Sequence, residues 1–342
     1  MQLGASLLFL FFSALHVLSL PLNGADFSSL SLLESQGITY KDNGAVKPFE
    51  QILSSHGFEL ARIRIWTAGT YTQNYALTLA KRAKAAGMKI LIDLHYSDTW
   101  ADPGHQAIPS GWPTDLNGLN TQIYTYTLNL VTAFKNAGIT IDYIQIGNEI
   151  NDGLLWPTGQ ISKAGFHPAS ELLHSAASGV RTGSPSTKIV VHIANGWDAG
   201  SVNYFWGGIF VAGAFATSDV DIMGFSFYPF YGTGATLSAL QSSLNGVISK
   251  FNKDVLVAET DWPEACSSSV ALSEPSIPKS AAGQQTWVKD IEIVLSGLSG
   301  GHGLGVVYWE PGWIGNAGLG SSCSDALLVD SSGNTRQSIS LF

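Results

Sequence analysis

Residues Glu59–Asp98 read ELARIRIWTAGTYTQNYALTLAKRAKAAGMKILIDLHYSD. The stretch begins with a short β-prone run, ELARIRIW (Glu59–Trp66). It passes through YALTLAKRAKAA (Tyr75–Ala86), where good helix formers recur at helical spacing and Gly87 supplies a stop. It ends in a second apolar run, KILIDLHYSD (Lys89–Asp98). Strand, helix, strand is the repeating unit of a parallel sheet. The same alternation extends in both directions. A weak run at Gly24–Phe27 precedes it. IDYIQIGNE (Ile141–Glu149), KIVVHIANG (Lys188–Gly196), DIMGFSFYP (Asp221–Pro229), DVLVAETDW (Asp254–Trp262) and GVVYWEP (Gly305–Pro311) follow, with helical segments between them. Eight such runs predict a closed (β/α)8 barrel, a TIM barrel, rather than an open sheet. No linker, repeat or low-complexity tract interrupts residues 20–342, which therefore read as a single domain.

The parity of polar residues within these runs points to where the chemistry lies. Arg62 and Arg64 share one face of their strand, with Ile63 and Ile65 on the other; Asp93 and His95 alternate likewise with Ile92 and Leu94. In the seventh run Glu259 and Asp261 share parity with Val255 and Val257. Parallel strands of an α/β protein are covered on both sides, so a polar parity must face the barrel interior. An arginine buried there needs a carboxylate, because an unpaired buried charge costs several kcal/mol. Arg62 or Arg64 is therefore expected to meet Glu149 or Glu259.

Composition narrows the function classes. The 342 residues carry a net charge of −9 and only 13% charged residues, with no Lys/Arg cluster of the kind that nucleic acid requires. No polybasic run or basic amphipathic helix marks a membrane-surface partner. Ten Trp and eleven Tyr suit a carbohydrate binder, since sugar faces lie flat on aromatic rings, although large cores use aromatics too. Leu7–Leu20 reads LLFLFFSALHVLSL, an apolar segment too short to span a bilayer comfortably, with Val17 and Ser19 placed for cleavage after Ser19. Residues 1–19 are thus expected to be a signal peptide, and the protein secreted and extracellular. The leading MQLGAS lacks Lys and Arg, and a retained anchor is the alternative reading. In an exported chain the even pair Cys266 and Cys323 favours a disulfide over two free buried thiols. No CxxC, HExxH or EF-hand spacing signals a metal, and no cofactor motif is present. A monomer is the default.

Hydrolysis of a glycosidic bond needs two carboxyl groups in a cleft, one to protonate the leaving oxygen and one to attack or activate water. Glu149 ends the fourth run in IQIGNEI, and Glu259 ends the seventh in VLVAETDWP. Either glutamate alone could be a helix cap or a surface residue; two at strand ends together point to catalysis. Asn-Glu after strand four and a second Glu after strand seven resemble the clan A glycoside hydrolases. LIDLHYSDTWADPGHQ (Leu91–Gln106), IGNEINDGLLWPTG (Ile146–Gly159), SFYPFY (Ser226–Tyr231), ETDWP (Glu259–Pro263) and YWEPGWI (Tyr308–Ile314) resemble family 53, the endo-β-1,4-galactanases, from about Gly24 to the C-terminus. The Cys266–Cys323 pair resembles the disulfide of the fungal branch, which lacks the calcium site of bacterial relatives.

The resemblance implies roles. Glu149 would be the general acid and then the general base, and Glu259 the nucleophile. The reaction would be retaining, on β-1,4-galactan side chains of pectin, with the carboxyl groups about 5–5.5 Å apart. Asn148 would bond the substrate 2-OH. Arg64 or Arg62, with Tyr228, would orient Glu259 and hold it ionised. His95 would line the reacting subsite, with Trp309 as its floor. Core hydrogen bonding is the competing reading for Tyr228 and His95. Asp98, Trp100, Asn195 and Trp313 sit in loops as sugar contacts or as packing. One departure stands out: many relatives carry an acidic or polar residue before the asparagine of the strand-five loop, where this chain has Ala194 in HIANGWD. Loss of an acid there is expected to change the pH optimum. The rival readings are a sister clan A hydrolase, such as a mannanase or cellulase, and a non-catalytic carbohydrate-binding barrel. HYSDTWADP and GLLWPTG favour the galactanase reading, and the paired carboxylates oppose the binding barrel.

Overall fold

A computed structural model describes residues 20–342. The expected signal segment, residues 1–19, lies outside the described residues. Eight parallel strands close a barrel. They are β1 (Gly24–Asp26), β2 (Leu60–Ile65), β3 (Lys89–Leu94), β4 (Tyr143–Ile146), β5 (Lys188–Ile193), β6 (Ile222–Ser226), β7 (Asp254–Thr260) and β8 (Gly303–Trp309). The weakest of the sequence runs closes the barrel: β1 pairs with β8 on one side and with β2 on the other. Its short register is tight, for a Cβ on Gly24 would come within 2.2 Å of the Leu60 carbonyl oxygen. Among the described residues, no helix is long and apolar enough to cross a membrane.

Helices connect successive barrel strands, and several start on a side-chain cap. Asp115, Asp198, Thr236 and Ser280 each accept a hydrogen bond from the backbone of the first turn that follows. The helix expected at Tyr75–Ala86 spans Gln73–Ala85, and Gly87 after it adopts φ +86°, the left-handed stop expected of it. A hairpin at Tyr40–Asp42 and Ala45–Lys47, absent from the sequence reading, precedes β2.

Two apolar clusters follow strand parity. The larger holds Ile63, Ile65, Ile92, Ile144, Val191 and Val257 and lies between strands and helices. The smaller holds Leu60, Leu91, Val190, Leu256, Ala258 and Val307. Leu60, Leu91 and Val190 share parity with Arg62, Asp93 and His192, so this cluster plugs the barrel interior below the polar residues. Here the sequence reading of β7 needs correction. Val255 and Val257 face outward and Leu256 and Ala258 inward. The register shifts between Phe225–Val257 and Ser226–Glu259, and again where β8 pairs with β7. This bulge inserts one residue and turns Glu259 to the inside, against the simple alternation.

Candidate active site

The C-terminal ends of the strands surround a cavity of about 340 Å³. Arg62, Arg64, His95, Trp100, Asn148, Glu149, Tyr228, Glu259, Trp309 and Trp313 all line it. These are ten of the twelve site residues expected from sequence. Asp98 and Asn195 lie outside the wall. Asp98 accepts from Thr67 Oγ1 at 2.6 Å and from the Ser110 amide at 2.8 Å, bracing the loops after β2 and β3. Asn195 takes a left-handed φ of +57°, and its carbonyl accepts from the Asp198 amide, turning the chain into the next helix. Ala194 is buried, its backbone bonded at both ends by the Asn151 side chain.

Arg62 is the hub. Its guanidinium contacts Asp26 at 2.8 Å, Asp93 at 2.9 Å and Glu259 Oε1 at 2.8 Å. It also donates to Asn148 Oδ1 at 2.8 Å and to Gln145 Oε1 at 3.3 Å. Of the two arginines, then, Arg62 holds Glu259. Arg64 stands one layer higher and turns to Glu310, at 2.5 Å. Its guanidinium carbon lies 4.1 Å from the Tyr71 ring centre and 4.5 Å from that of Trp100, a cation–π contact. Tyr228 completes the support of Glu259 by donating to Oε2 at 2.9 Å.

Glu149 stands in a different environment. Its backbone is left-handed, φ +49°, an uncommon conformation for a glutamate, which holds it at the strand mouth. No cation among the described residues contacts it. Its Oε1 accepts from the Ser226 hydroxyl at 2.5 Å. Burial, first, and the nearby Glu259 charge, second, push Glu149 up to about 8. Burial also raises Glu259, while Arg62 and the Tyr228 hydroxyl pull it back down. The same acid surplus acts elsewhere. Burial and Asp26 raise Glu310 to about 7, against the pull of Arg64. Asp261, whose two carboxyl oxygens are buried without a hydrogen-bond partner, is pushed well up by burial and by Glu259. Two environments that hold paired carboxyl groups apart in charge are the condition for acid–base division of labour.

The walls are aromatic. Trp100 and Trp313 stack with ring centres 6.1 Å apart and planes 23° from parallel, and Trp309 meets both edge-on. His95 is fixed as a donor to Asp93: its Nδ1 accepts from the Ala101 amide at 3.0 Å, so Nε2 carries the hydrogen toward Asp93, 3.0 Å away. Tyr231, half exposed, and Asp102 line the cavity without having been singled out. Asp26, Asp93, Gln145, His192, Ser226 and Glu310 are buried behind it and were also missed as site residues. Parity offered a signal for Asp93, Gln145 and His192, all on the inward face of their strands.

The glycosyl hydrolase family 53 model matches residues 22–342. The chain belongs to glycosyl hydrolase family 53. It is 44% identical over 333 residues to an arabinogalactan endo-β-1,4-galactanase of Thermothelomyces thermophilus, covering 95% of this chain and 99% of that one. Among solved structures, a fungal β-1,4-galactanase superimposes with a TM-score of 0.91 at 44% identity, over 94% of this chain and 99% of the other. A family 53 catalytic domain of Ignisphaera aggregans superimposes with a TM-score of 0.83 at 27% identity, over 96% of each chain. The joined Cys266 and Cys323, with Cα atoms 4.4 Å apart, tie the loop after β7 to the long loop after β8 that carries Trp313.

Proposed function

We propose that this family 53 protein is a secreted endo-β-1,4-galactanase that cleaves the galactan side chains of pectin with retention, by double displacement. The observation that carries the mechanism is the asymmetry of the two carboxyl groups: Glu259 is held by Arg62 and Tyr228, while Glu149 has only a neutral hydroxyl and a raised pKa of about 8. The substrate class rests on the names of the relatives. In the first step Glu259 attacks the anomeric carbon and neutral Glu149 gives its proton to the leaving oxygen. In the second, ionised Glu149 takes a proton from water, which opens the galactosyl ester. Asn148 suits the substrate 2-OH. Its Oδ1 is held by Arg62, and Nδ2 spends one hydrogen on the Ala101 carbonyl at 2.8 Å, leaving one for the sugar. Trp100, Trp309 and Trp313 offer flat faces to neighbouring sugar units.

Reducing-end release from debranched β-1,4-galactan, with mannan and soluble cellulose beside it, tests the substrate. Release from galactan alone is expected, and release from mannan or cellulose instead would move the enzyme to another specificity. Azide tests the roles. With Glu149→Ala it should return a β-galactosyl azide, and with Glu259→Ala an α-azide; the reverse assignment of anomers would overturn both roles.

A further inference from the structure

Behind Glu149 runs a chain of buried polar groups. Ser226 Oγ lies 2.5 Å from Glu149 Oε1 and 2.9 Å from His192 Nε2. His192 Nδ1 lies 3.0 Å from Gln145 Nε2 and 2.9 Å from Asn148 Oδ1. Two orientations are fixed from outside. Asn148 Nδ2 donates to the Ala101 carbonyl, so Oδ1 faces the chain. Gln145 Oε1 accepts from Arg62 Nε, so its amide nitrogen faces His192.

We propose that His192 and Ser226 are positioning residues for Glu149: His192 is held as the Nε2–H tautomer, aims the Ser226 hydroxyl at Oε1, and so keeps the acid's proton on Oε2 for the substrate. The inference rests on the reading of Glu149 as acid/base. Ser226 has one hydrogen and two neighbours able to take it. With hydrogen on His192 Nε2, the imidazole donates to Ser226 and Ser226 donates to Glu149. The bare Nδ1 then takes the second hydrogen of Gln145 Nε2, whose first goes to Asp93 Oδ1 at 2.6 Å. That arrangement serves Glu149 whether it is neutral or ionised. With hydrogen on Nδ1 instead, Nε2 would absorb the Ser226 hydrogen. Glu149 would then have to donate inward through Oε1, turning its proton away from the cavity, and once ionised it would face bare oxygen. Asn148 Oδ1 does not need the imidazole hydrogen, since Arg62 Nη2 already donates to it at 2.8 Å. Oε2 accepts no hydrogen bond from the described residues. Donors thus run one way, Arg62 to Gln145 to His192 to Ser226 to Glu149, starting from the arginine that holds Glu259.

The charged and titratable groups around His192 are Arg62 on β2, and Asp93 and His95 on or beside β3; burial and Arg62 keep the imidazole neutral. Those around Glu149 are Glu259, Asp102 and Arg62; Tyr228 and Tyr231 also face it.

The test is ring-¹⁵N spectroscopy of the histidine-labelled enzyme, with His192→Asn to identify the signal. A neutral Nε2–H imidazole is expected at about pH 5 and about pH 9 alike; an Nδ1–H or doubly protonated ring at either overturns the proposal. Ser226→Ala supplies the kinetic readout. Loss of the donor disfavours ionised Glu149, so the alkaline limb of the galactan pH profile should move up. The kcat should fall roughly tenfold, the worth of one bond to a charged group, with KM little changed. Ser226→Thr should restore both. A fall in kcat with an unmoved limb would show mere packing and overturn the proposal. If Glu149→Ala retained its galactan activity, the acid/base reading would fail, while the tautomer result would stand on its own measurement.

Discussion

Replacing Glu149 by Gln should abolish galactan hydrolysis and at the same time stabilise the protein, but only at neutral and alkaline pH. Glutamine keeps the oxygen that accepts from Ser226 and removes the charge. The folded pKa is raised from 4.5 to about 8, so the contribution of Glu149 to stability is fully present below pH 4.5 and is lost as pH rises through 8. Between these values the wild-type fold must either keep a proton that the unfolded chain would release or bury an uncompensated carboxylate. At 1.36 kcal/mol per unit the penalty is on the order of 3 kcal/mol near pH 7, approaching its ceiling near pH 8. The variant carries no such penalty. Its gain over wild type should therefore be near zero at about pH 4.5 and on the order of 3 kcal/mol at pH 7, a shift of several degrees in melting temperature. Thermal melts of both proteins across this range, in one buffer series at fixed ionic strength, give the comparison directly. A difference in stability that stays constant from acid to alkaline pH would refute the claim that burial and Glu259 hold Glu149 neutral.

Other consequences follow from the same geometry. Arg62→Lys replaces a planar fork serving Asp26, Asp93, Glu259, Asn148 and Gln145 by a point charge with three donors. It should cost more than about 3 kcal/mol of stability, read by denaturant unfolding, together with nearly all activity. Trp313→Ala should raise KM for galactan about tenfold with a smaller change in kcat, and Trp313→Phe should recover most of it. Reducing Cys266–Cys323 opens a loop of 57 residues and should cost about 4 kcal/mol in a thermal or denaturant melt. Because that bond ties down the loop bearing Trp313, Asn316 and Gly320, KM should rise as well. Ala194→Asp places a carboxylate at the β5 exit, beside Asn151, and should displace the alkaline limb of the pH profile upward; an identical profile would count against any influence of this position.

Strand parity made much of this site legible in the sequence, and it fails in the places where backbone geometry departs from alternation. Arg62, Arg64 and Asp93 lie on ordinary strands, with His95 directly after one, and their inward face could be read off residue by residue. Glu259 is marked by its place at the end of the seventh run, but the parity read for it does not hold. It was placed inside the barrel by sharing parity with Val255 and Val257, yet those valines pack against the helices, and a bulge turns the glutamate inward. A bulge leaves no mark in a run of β-branched residues, because it is set by pairing with the neighbouring strands. Asp26 was missed for a related reason. A three-residue strand is too short to show alternation, and what marks Asp26 is its register opposite Arg62, a long-range fact. The Ser226–His192 pair was illegible for a third reason, since each residue reads as an ordinary polar interruption of its own strand. They acquire a role only when β5 and β6 lie side by side and the hydrogens are counted.

The acid surplus around the two buried arginines belongs to the same argument. Asp26, Asp93, Glu259 and Glu310 contact Arg62 or Arg64, while Glu149 and Asp261 are buried nearby without an arginine of their own. Asp93, held by Arg62, has a lowered pKa; Glu259 and Glu310 are raised by burial against the pull of their arginines; Glu149 and Asp261, which touch no arginine among the described residues, are pushed toward neutrality. Glu149 is therefore an acid because the arginines are spent elsewhere. A new cation placed beside it should ionise it, abolish its proton donation to galactan and leave Glu259 intact as a nucleophile toward an activated aryl galactoside. Ser226→Lys would be the direct attempt. Retained galactan hydrolysis by such a folded variant, with its aryl galactoside activity unchanged, would show that the proton comes from somewhere other than Glu149.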